Sequence, residues 1–399
     1  MKHRVVAPRI LPVLIVLAGL CSTGPASAEQ ITIGKTTTVR SEILDEDRTL
    51  MISLPAGYRD EGSERYPVLW VLDGETRFLH TLGTVRSLAS SGHIPPMIVV
   101  GITNTQRTRD LTPPWRGEPE EGREQMIETG GGADKFLRFL LEEARPQVRQ
   151  SYRTAPFEAL VGHSFGGLFA VHAITENPAA YQAFIAVSPS LWWDGGRPVK
   201  EFAEMIETRP DLAGRLYATL GDEGGDMLTQ FKRFEEILRH RAPPSLAWTA
   251  RVLEGEDHGS VPLPTVYYAM RTIFDRWPPP TFLADEGLDG LERHFAAVSE
   301  HYGYPVPVPE NRVNLLGYRL LGEEKVDEAI AIFEKNTRDH PASSNVWDSL
   351  GDGLKAAGRL TEARDSYAKA VQLGKQENSP NLGVYEQNLA AAKESLAKR

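Results

Sequence analysis

The 399-residue chain contains one cysteine, Cys21, which lies in an N-terminal segment that we expect to be removed. A mature chain without Cys21 has no thiol, which excludes disulfide bonds, thiolate catalysis and cysteine-ligated zinc. The sequence also lacks the HExxH pattern of zinc hydrolases, a glycine-rich phosphate loop, and a dinucleotide fingerprint in a βαβ setting. We therefore expect no metal and no cofactor.

Residues 1–28 have the pattern of a secretory signal peptide. Lys2, Arg4 and Arg9 precede an apolar run, ILPVLIVLAGLC, and small residues then lead to Ala28. The alternative is a membrane anchor, but the run is shorter than the roughly 20 residues that a membrane span requires. A lipid anchor on Cys21 is disfavoured because Leu20 stands where a small residue is expected. We predict cleavage after Ala28, a periplasmic or secreted protein, and no membrane span after cleavage.

The mature chain is strongly acidic. The segment 1–28 contains three basic and no acidic residues, so its removal changes the net charge from -10 to -13. Proteins that bind nucleic acids usually do so through basic surfaces. This charge argues against a nucleic-acid partner.

Short apolar runs alternate with helical patterns from about residue 31 to 280. Two N-terminal runs, ITIGKTTTV and LMISLP, are typical of antiparallel strands because little separates them. The continuous runs that follow have the composition of strands buried on both faces: YPVLWVLDG, PMIVVGIT, FEALVGHS, AFIAVSPS, LYATLGDE and LAWTARVLEG. Helix candidates separate them, which predicts a mostly parallel sheet covered by helices, an α/β domain spanning residues 29–283.

The C-terminal region contains an internal repeat. Residues 313–344 and 347–378 match at a spacing of 34, and the matched pairs are Leu316 with Leu350, Gly317 with Gly351, Leu320 with Leu354, Ala329 with Ala363, and Phe333 with Tyr367. This spacing is typical of tetratricopeptide repeats. We predict a helical linker over 284–310 and a small all-α repeat domain over 311–399, which ends in a capping helix. Such repeats would bind a partner protein, mediate dimerisation or cover the active-site mouth.

The pentapeptide Gly162-His163-Ser164-Phe165-Gly166 is typical of a nucleophile elbow. The strand FEALV precedes it and the helix GGLFAVHAI follows it, which is the strand-turn-helix setting that an exposed nucleophilic serine requires. Ser164 is therefore the candidate nucleophile. A structural glycine turn with an incidental serine is the alternative.

The catalytic partners of such a serine follow it in the order acid, then histidine. His258, in GEDHGSVP directly after the last strand, is the one histidine in a suitable loop. The loop after LYATL contains three carboxylates that could orient it: Glu223 is the first choice, Asp222 the second and Asp226 the third, since Asp226 could instead cap the next helix.

An oxyanion hole requires two N–H donors. The backbone of Phe165 follows the nucleophile, and Glu75 lies in the loop after the third strand, so these two N–H groups are the candidates. Asp73 in the same loop is better suited to hold the loop by hydrogen bonds.

Several segments together carry a family resemblance: LWVLDGE, VVGIT with RTRDLTP, GGADKFLRF, LVGHSFGGL, VSPSLWWD and DHGSVP. Residues 31–277 resemble the esterase family of the α/β-hydrolases that includes enterochelin and bacillibactin esterases, esterase D, feruloyl esterases and mycolyltransferases. This resemblance implies an α/β-hydrolase fold and hydrolysis of carboxylic esters through Ser164, His258 and Glu223 or its neighbours. VSPSLWW is most similar to the siderophore-esterase branch, whereas the C-terminal repeats are a departure from it.

Three further residues are candidates for a substrate pocket. Trp192 and Trp193 follow a strand end, and Arg107 follows another, where it could meet an anionic group. We expect a serine esterase that acts on a small-molecule ester. The alternatives are an acyltransferase of the same fold, or a repeat-based binding protein with a vestigial hydrolase domain.

Overall fold

The computed structural model describes residues 31–60, 62, 64–280 and 286–398. The predicted signal peptide and Cys21 lie outside them. Eight strands form one sheet, and their bounds are β1 Lys35–Ser41, β2 Glu46–Ser53, β3 Tyr66–Val71, β4 Ile98–Ile102, β5 Thr154–His163, β6 Ala183–Val187, β7 Gly214–Leu220 and β8 Leu246–Val252. The first strand starts at Lys35, four residues later than its apolar run, and Ile31 is exposed.

The sheet order is β1-β2-β4-β3-β5-β6-β7-β8. The first two strands pair antiparallel with each other, β2 pairs antiparallel with β4, and all later pairs are parallel. The parallel arrangement brings the carboxyl ends of β3 to β8 to one edge, where ligands bind in sheets of this kind. The opposite edge is called the amino edge below.

Fifteen helices are present among the described residues. Their bounds are α1 Gly74–Ser90, α2 Arg107–Leu111, α3 Glu124–Thr129, α4 Ala133–Phe139, α5 Arg145–Ser151, α6 Phe165–Glu176, α7 Trp193–Thr208, α8 Gly225–Arg241, α9 Pro262–Ile273, α10 Gly287–Tyr302, α11 Glu310–Gly322, α12 Val326–Asp339, α13 Ser344–Ala356, α14 Leu360–Gln376 and α15 Leu382–Ala397. A π-helical turn, Leu140–Ala144, joins α4 to α5.

Helices cover both faces of the sheet, as its central strands require. Every residue of β3, β4 and β6 is buried. One face packs against side chains from α4 to α8, including Phe136, Phe169 and Phe202, and the other against α1, α9 and α10. The last strand differs from the expectation of full burial: β8 is only partly buried, because it is the edge strand of the sheet and has no neighbour on its outer side.

The C-terminal helices α11 to α14 form two helical hairpins with equivalent packing. A Cβ added to Gly317 would lie 2.4 Å from the Phe333 ring, and one added to Gly351 would lie 2.4 Å from the Tyr367 ring. Each hairpin therefore needs a glycine where its first helix crosses the aromatic ring of its second. The next helix, α15, packs on α14 through Tyr385.

Helix α10 lies within the segment 284–310, which we predict to be a helical linker. Its residues Phe295, Val298 and Tyr302 belong to the core beneath the sheet, while Leu291 packs with the C-terminal hairpins. The segment that we expected to connect two domains is therefore a shared element of both cores.

The C-terminal helices contact the amino edge of the sheet. Arg312 donates to the carbonyl of Gly92, ahead of β4, at 2.9 Å, and His340 lies 3.4 Å from Glu64, ahead of β3. Since Ser164 follows the carboxyl end of β5, the expectation that the repeats cover the active-site mouth is wrong. The separation follows from topology, since β5 runs for ten residues, or roughly 30 Å, between the two edges.

Candidate active site

Ser164 occupies a sharp turn between β5 and α6. Its backbone has φ 61° and ψ -116°, a conformation that is strained for a residue with a side chain. Its N–H donates to the carbonyl of Val187 at 3.0 Å, which fixes the turn to the end of β6. A Cβ on Gly162 would lie 2.1 Å from the Gly166 carbonyl oxygen, so only glycine fits there. The turn has the features of a nucleophile elbow.

The two predicted oxyanion donors lie at the N-termini of helices. Phe165 is the first residue of α6 and Glu75 the second of α1, positions whose N–H groups have no partner within their own helix. Asp73 holds the Glu75 loop: its buried carboxylate accepts Nε of Arg107 at 2.6 Å and Nδ2 of Asn104 at 2.8 Å. The structural role expected of Asp73 is thus observed as hydrogen bonding to two neighbours.

The structure brings Glu223 and His258 together. His258 Nδ1 lies 2.8 Å from Glu223 Oε2, so the ring donates from Nδ1 and leaves Nε2 as the acceptor. The Glu223 side chain is 13% exposed and that of His258 is 42% exposed. A fixed carboxylate behind a solvent-accessible imidazole is the arrangement that a general base requires.

The alternative acids do not contact His258. Asp222 contributes its backbone N–H to the carbonyl of Glu256. Asp226 lies in the first turn of α8, and its carboxylate is 3.9 Å from Arg123. Among the three carboxylates of this loop, the contact with the imidazole is made by Glu223.

Ser188 completes the support of Glu223 and was not anticipated from the sequence. Its hydroxyl donates to Glu223 Oε1 at 2.6 Å and accepts the N–H of Gly221 at 3.1 Å. Both carboxylate oxygens of Glu223 are therefore engaged, one by Ser188 and one by His258. Ser188 is fully buried, with φ 38°, at the end of β6.

His163 joins the two catalytic loops. Arg77 donates to its Nδ1 at 2.9 Å, so Nε2 carries the proton and donates to the carbonyl of His258 at 2.8 Å. The two imidazole rings lie 4.5 Å apart. Burial, and then the charges of Arg77 and His258, lower the pKa of His163 to about 3, so it is neutral at working pH. This contact places His258 beside the residue that precedes Ser164.

The Ser164 hydroxyl contacts Ser190. Within the described part of the chain, the hydrogen bond of Ser164 Oγ is with Ser190 Oγ, at 3.4 Å, rather than with His258. The Ser190 N–H also donates to the carbonyl of Ser164 at 3.1 Å. In ligand-free hydrolases the contact between nucleophile and base is often long and shortens only when substrate binds.

The three predicted pocket residues have different environments. Trp192 is partly exposed, 6.1 Å from the Phe165 ring, and the Arg123 guanidinium stacks on it at 4.0 Å. Trp193 is buried, 1% exposed, and donates to the carbonyl of Pro113 at 3.0 Å, so it packs under a loop instead of lining an open pocket. Arg107 is held by Asp73 as described above.

The residues that sequence reasoning missed are Ser188, Ser190, His163 and Arg123. Ser188 and Ser190 lie in VSPS, which is part of the segment VSPSLWWD that carries the family resemblance. The sequence around a serine at the end of a strand does not indicate which residue its hydroxyl will bond. His163 precedes the nucleophile in the chain, which excludes a role as base in this fold but not a hydrogen bond to the loop of the base.

Neither a metal centre nor a membrane span is found in the part of the chain that the structure describes. No group of three or more His, Cys, Asp or Glu side chains there is arranged to hold a metal ion. None of the described helices has the length and apolar character needed to cross a membrane.

The sheet order, the elbow at Ser164 and the histidine loop after the last strand define an α/β-hydrolase. Residues 41–261 match the family described as "Putative esterase", and the chain belongs to that family of carboxylic ester hydrolases.

Two relatives extend this assignment. The siderophore triacetylfusarinine C esterase of Aspergillus fumigatus is 30% identical over 278 residues, which cover 59% of this chain and 92% of that protein. The structure of an IroE-like serine hydrolase from Shewanella oneidensis superimposes with a TM-score of 0.66 at 26% identity, over 76% of this chain and 99% of that one.

A third match includes the C-terminal helices. The structure of an uncharacterised protein from Capnocytophaga ochracea superimposes with a TM-score of 0.59 at 16% identity over 90% of this chain and 99% of that one. The α/β domain alone is too short to account for 90% of the chain, so the match extends into the C-terminal helices. At this identity the match shows a common fold and nothing about activity.

Proposed function

We propose that the protein hydrolyses carboxylic esters through an acyl-enzyme formed on Ser164. His258 Nε2 takes the proton of the Ser164 hydroxyl as Oγ attacks the ester carbonyl, and returns it to the departing alcohol. Glu223 holds the imidazole in the tautomer that leaves Nε2 free and stabilises the imidazolium. The N–H groups of Phe165 and Glu75 stabilise the oxyanion. Water then attacks the acyl-enzyme and releases the acid.

The observation that carries this proposal is the 2.8 Å contact of Glu223 with His258 beside the elbow. The three residues follow in the chain order of α/β-hydrolases. A vestigial domain has no reason to retain a buried carboxylate on the far nitrogen of a histidine beside a strained serine. The arrangement therefore favours an enzyme over a repeat-based binding protein.

Hydrolysis is favoured over acyl transfer by the exposure of His258. Its side chain is 42% exposed, so water reaches the base that must activate the attacking nucleophile. An acyltransferase must exclude water from the acyl-enzyme. The exposed imidazole of the free enzyme does not meet that requirement, which favours hydrolysis.

We infer that the substrate is a siderophore-type ester. The Aspergillus fumigatus relative is named a siderophore triacetylfusarinine C esterase, and it aligns over 92% of its length. At the site mouth, Trp192 supplies an aromatic surface, which the Arg123 guanidinium, paired with Glu120 at 2.8 Å, holds in place. Comparing kcat/KM for triacetylfusarinine C and for p-nitrophenyl butyrate tests this inference, which a preference for the simple ester would contradict.

We further propose export by the segment 1–28 and a tetratricopeptide architecture for α11 to α15. The equivalent Gly317–Phe333 and Gly351–Tyr367 contacts support two repeats of one kind. We propose that these helices bind a partner protein or a second copy of the chain. Sedimentation of the mature protein tests self-association, and mass spectrometry of the exported chain tests cleavage after Ala28.

The central experiment is hydrolysis of p-nitrophenyl acetate, butyrate and octanoate by the mature protein. Ser164→Ala and His258→Ala should each reduce kcat by several orders of magnitude, because triad residues act as a unit. A fluorophosphonate should label Ser164 in the active enzyme. Unlabelled Ser164 in a folded, active protein would contradict the proposed nucleophile.

The acid is tested by matched amide substitutions. Glu223→Gln preserves size but removes the charge that stabilises the imidazolium, and should reduce kcat by up to about 10⁴-fold. Asp222→Asn and Asp226→Asn serve as controls in the same loop and should retain nearly full activity. A large loss in either control with Glu223→Gln unaffected would assign the acid elsewhere.

A further inference from the structure

A pocket of about 290 Å³ lies between the catalytic body and the C-terminal helices, and we call it the rear pocket. Its walls come from residues 64–67, ahead of and at the start of β3, from 92–96, ahead of β4, from Trp277, and from 304–312 between α10 and α11. All of these segments belong to the amino edge of the sheet. The rear pocket is therefore separate from the site at Ser164.

The walls are apolar and rigid. Six prolines line the pocket: Pro67, Pro95, Pro96, Pro305, Pro307 and Pro309. Proline has a fixed φ, so these walls lose little conformational entropy when a ligand binds. The rings of Trp277 and Tyr304, which are 6% and 5% exposed, add aromatic surface. Preformed apolar pockets between structural units are typical small-molecule sites.

Two guanidinium groups line this pocket without a carboxylate partner among the described residues. Arg312 is partly buried and its hydrogen bond is to the carbonyl of Gly92. Burial lowers the pKa of Arg312, and no acidic neighbour offsets that effect. Arg65 donates to the carbonyl of Thr154 at 3.3 Å. Both groups use only part of their five N–H donors on backbone carbonyls, and the remaining donors can bind an anionic ligand.

The carboxylates of the same wall already have partners. Glu64 accepts the hydroxyl of Tyr66 at 2.8 Å and lies 3.4 Å from His340. Glu310 accepts Nδ2 of Asn345 at 2.9 Å. Neither carboxylate forms an ion pair with Arg312 or Arg65, whose hydrogen bonds go to backbone carbonyls, so both guanidinium groups remain available to an anionic ligand.

Arg312 also has a structural role that must be separated from ligand binding. Gly92 follows the C-terminus of α1, where a helix carries roughly half a negative charge. This contact uses one of the five N–H donors of the guanidinium and leaves the others for a ligand.

We propose that the rear pocket binds a small aromatic monocarboxylate. Its carboxylate accepts hydrogen bonds from Arg312, and its ring lies against Trp277 and the prolines. A pocket of about 290 Å³ is at the small end of ligand sites, which suits a ligand with a single substituted ring. The site does not depend on the chemistry at Ser164.

The test is calorimetric titration of the mature full chain with benzoate, phenylacetate and benzamide. Benzoate and phenylacetate should bind at one site per chain. Benzamide has the same shape without the charge and should bind at least about tenfold more weakly, since a hydrogen bond between charged groups contributes more than one between neutral groups. Equal affinity for benzamide would overturn the proposal.

Variants locate the site. Arg312→Gln should weaken benzoate binding at least about tenfold, whereas Arg312→Lys preserves the charge and should recover most of the affinity. Arg338→Gln, on α12 outside the pocket, is the matched control and should bind as wild type does. Benzoate affinity unchanged in Arg312→Gln, or reduced equally in the Lys variant, would refute a charge-selective site.

Two further measurements exclude indirect effects. Protein labelled at Ser164 by a fluorophosphonate should bind benzoate unchanged, and loss of binding on labelling would place the ligand in the active site instead. The fluorescence change of Trp277 on binding should disappear in Trp277→Phe. A thermal melt of each variant shows whether the C-terminal helices remain docked.

Discussion

Ser188→Ala should impair catalysis although Ser188 touches neither substrate nor nucleophile. The fully buried hydroxyl donates to Glu223 Oε1 at 2.6 Å and holds Gly221 of the same loop. A hydrogen bond to a charged group contributes about 1.5–3 kcal/mol. If that amount is lost from the transition state, kcat/KM falls by about 10-fold to 150-fold.

The assay is the steady-state hydrolysis of p-nitrophenyl butyrate. The loss should appear in kcat, with KM nearly unchanged, because Ser188 acts on the orientation of Glu223 and His258 and not on substrate binding. Ser349→Ala is the control, since Ser349 is also buried, 1% exposed, but lies on α13. Wild-type kcat in Ser188→Ala, or an equal loss in Ser349→Ala, would refute the reasoning.

Three predictions concern stability. Burial lowers the pKa of His163 to about 3 from its ordinary 6.5, so the folded chain loses stability as pH falls below about 6.5. The Tm of His163→Gln should therefore decrease less than that of the wild type between pH 7 and pH 4.5. Equal decreases in the two proteins would contradict this. Burial raises the pKa of Asp348 to about 6, so stability is lost as pH rises through that value. Asp348→Asn should raise Tm at pH 8 by the equivalent of up to about 3 kcal/mol but have little effect at pH 4. A higher Tm at both pH values would show that ionisation of Asp348 is not the cause. Gly351→Ala places a Cβ 2.4 Å from the Tyr367 ring and should lower the free energy of unfolding by about 1–3 kcal/mol, measured in a thermal melt. Gly322→Ala is the control, because open space surrounds its added Cβ, and it should not lower that free energy. Equal Tm values for the two variants would show that the helices adjust to the added Cβ.

The sheet and the order of its parts could be predicted because they depend on local signals. Continuous apolar runs specify buried strands, and glycines around Ser164 specify a tight turn between a strand and a helix. The chain order of serine, acid and histidine, together with the need for a loop after the last strand, reduced ten histidines to His258. The structure adds the contact that distinguishes Glu223 from Asp222, which are adjacent in sequence and have the same charge.

The misses share a physical cause, since each depends on contacts between residues distant in the chain. The burial of Trp193 depends on a loop 80 residues earlier, whose Pro113 carbonyl accepts its N–H. The role of His163 depends on the carbonyl of His258, 95 residues later. Likewise, the docking of α10 and the C-terminal helices on the amino edge depends on tertiary contacts that no repeat spacing describes.

The placement of the C-terminal helices determines how this enzyme can be held. They contact the amino edge of the sheet, whereas Ser164 lies at the carboxyl edge. A chain immobilised on a resin or fused to a carrier through its last helix would thus present the serine to the surrounding solution. Attachment through the C-terminus should therefore leave the active site accessible to substrate.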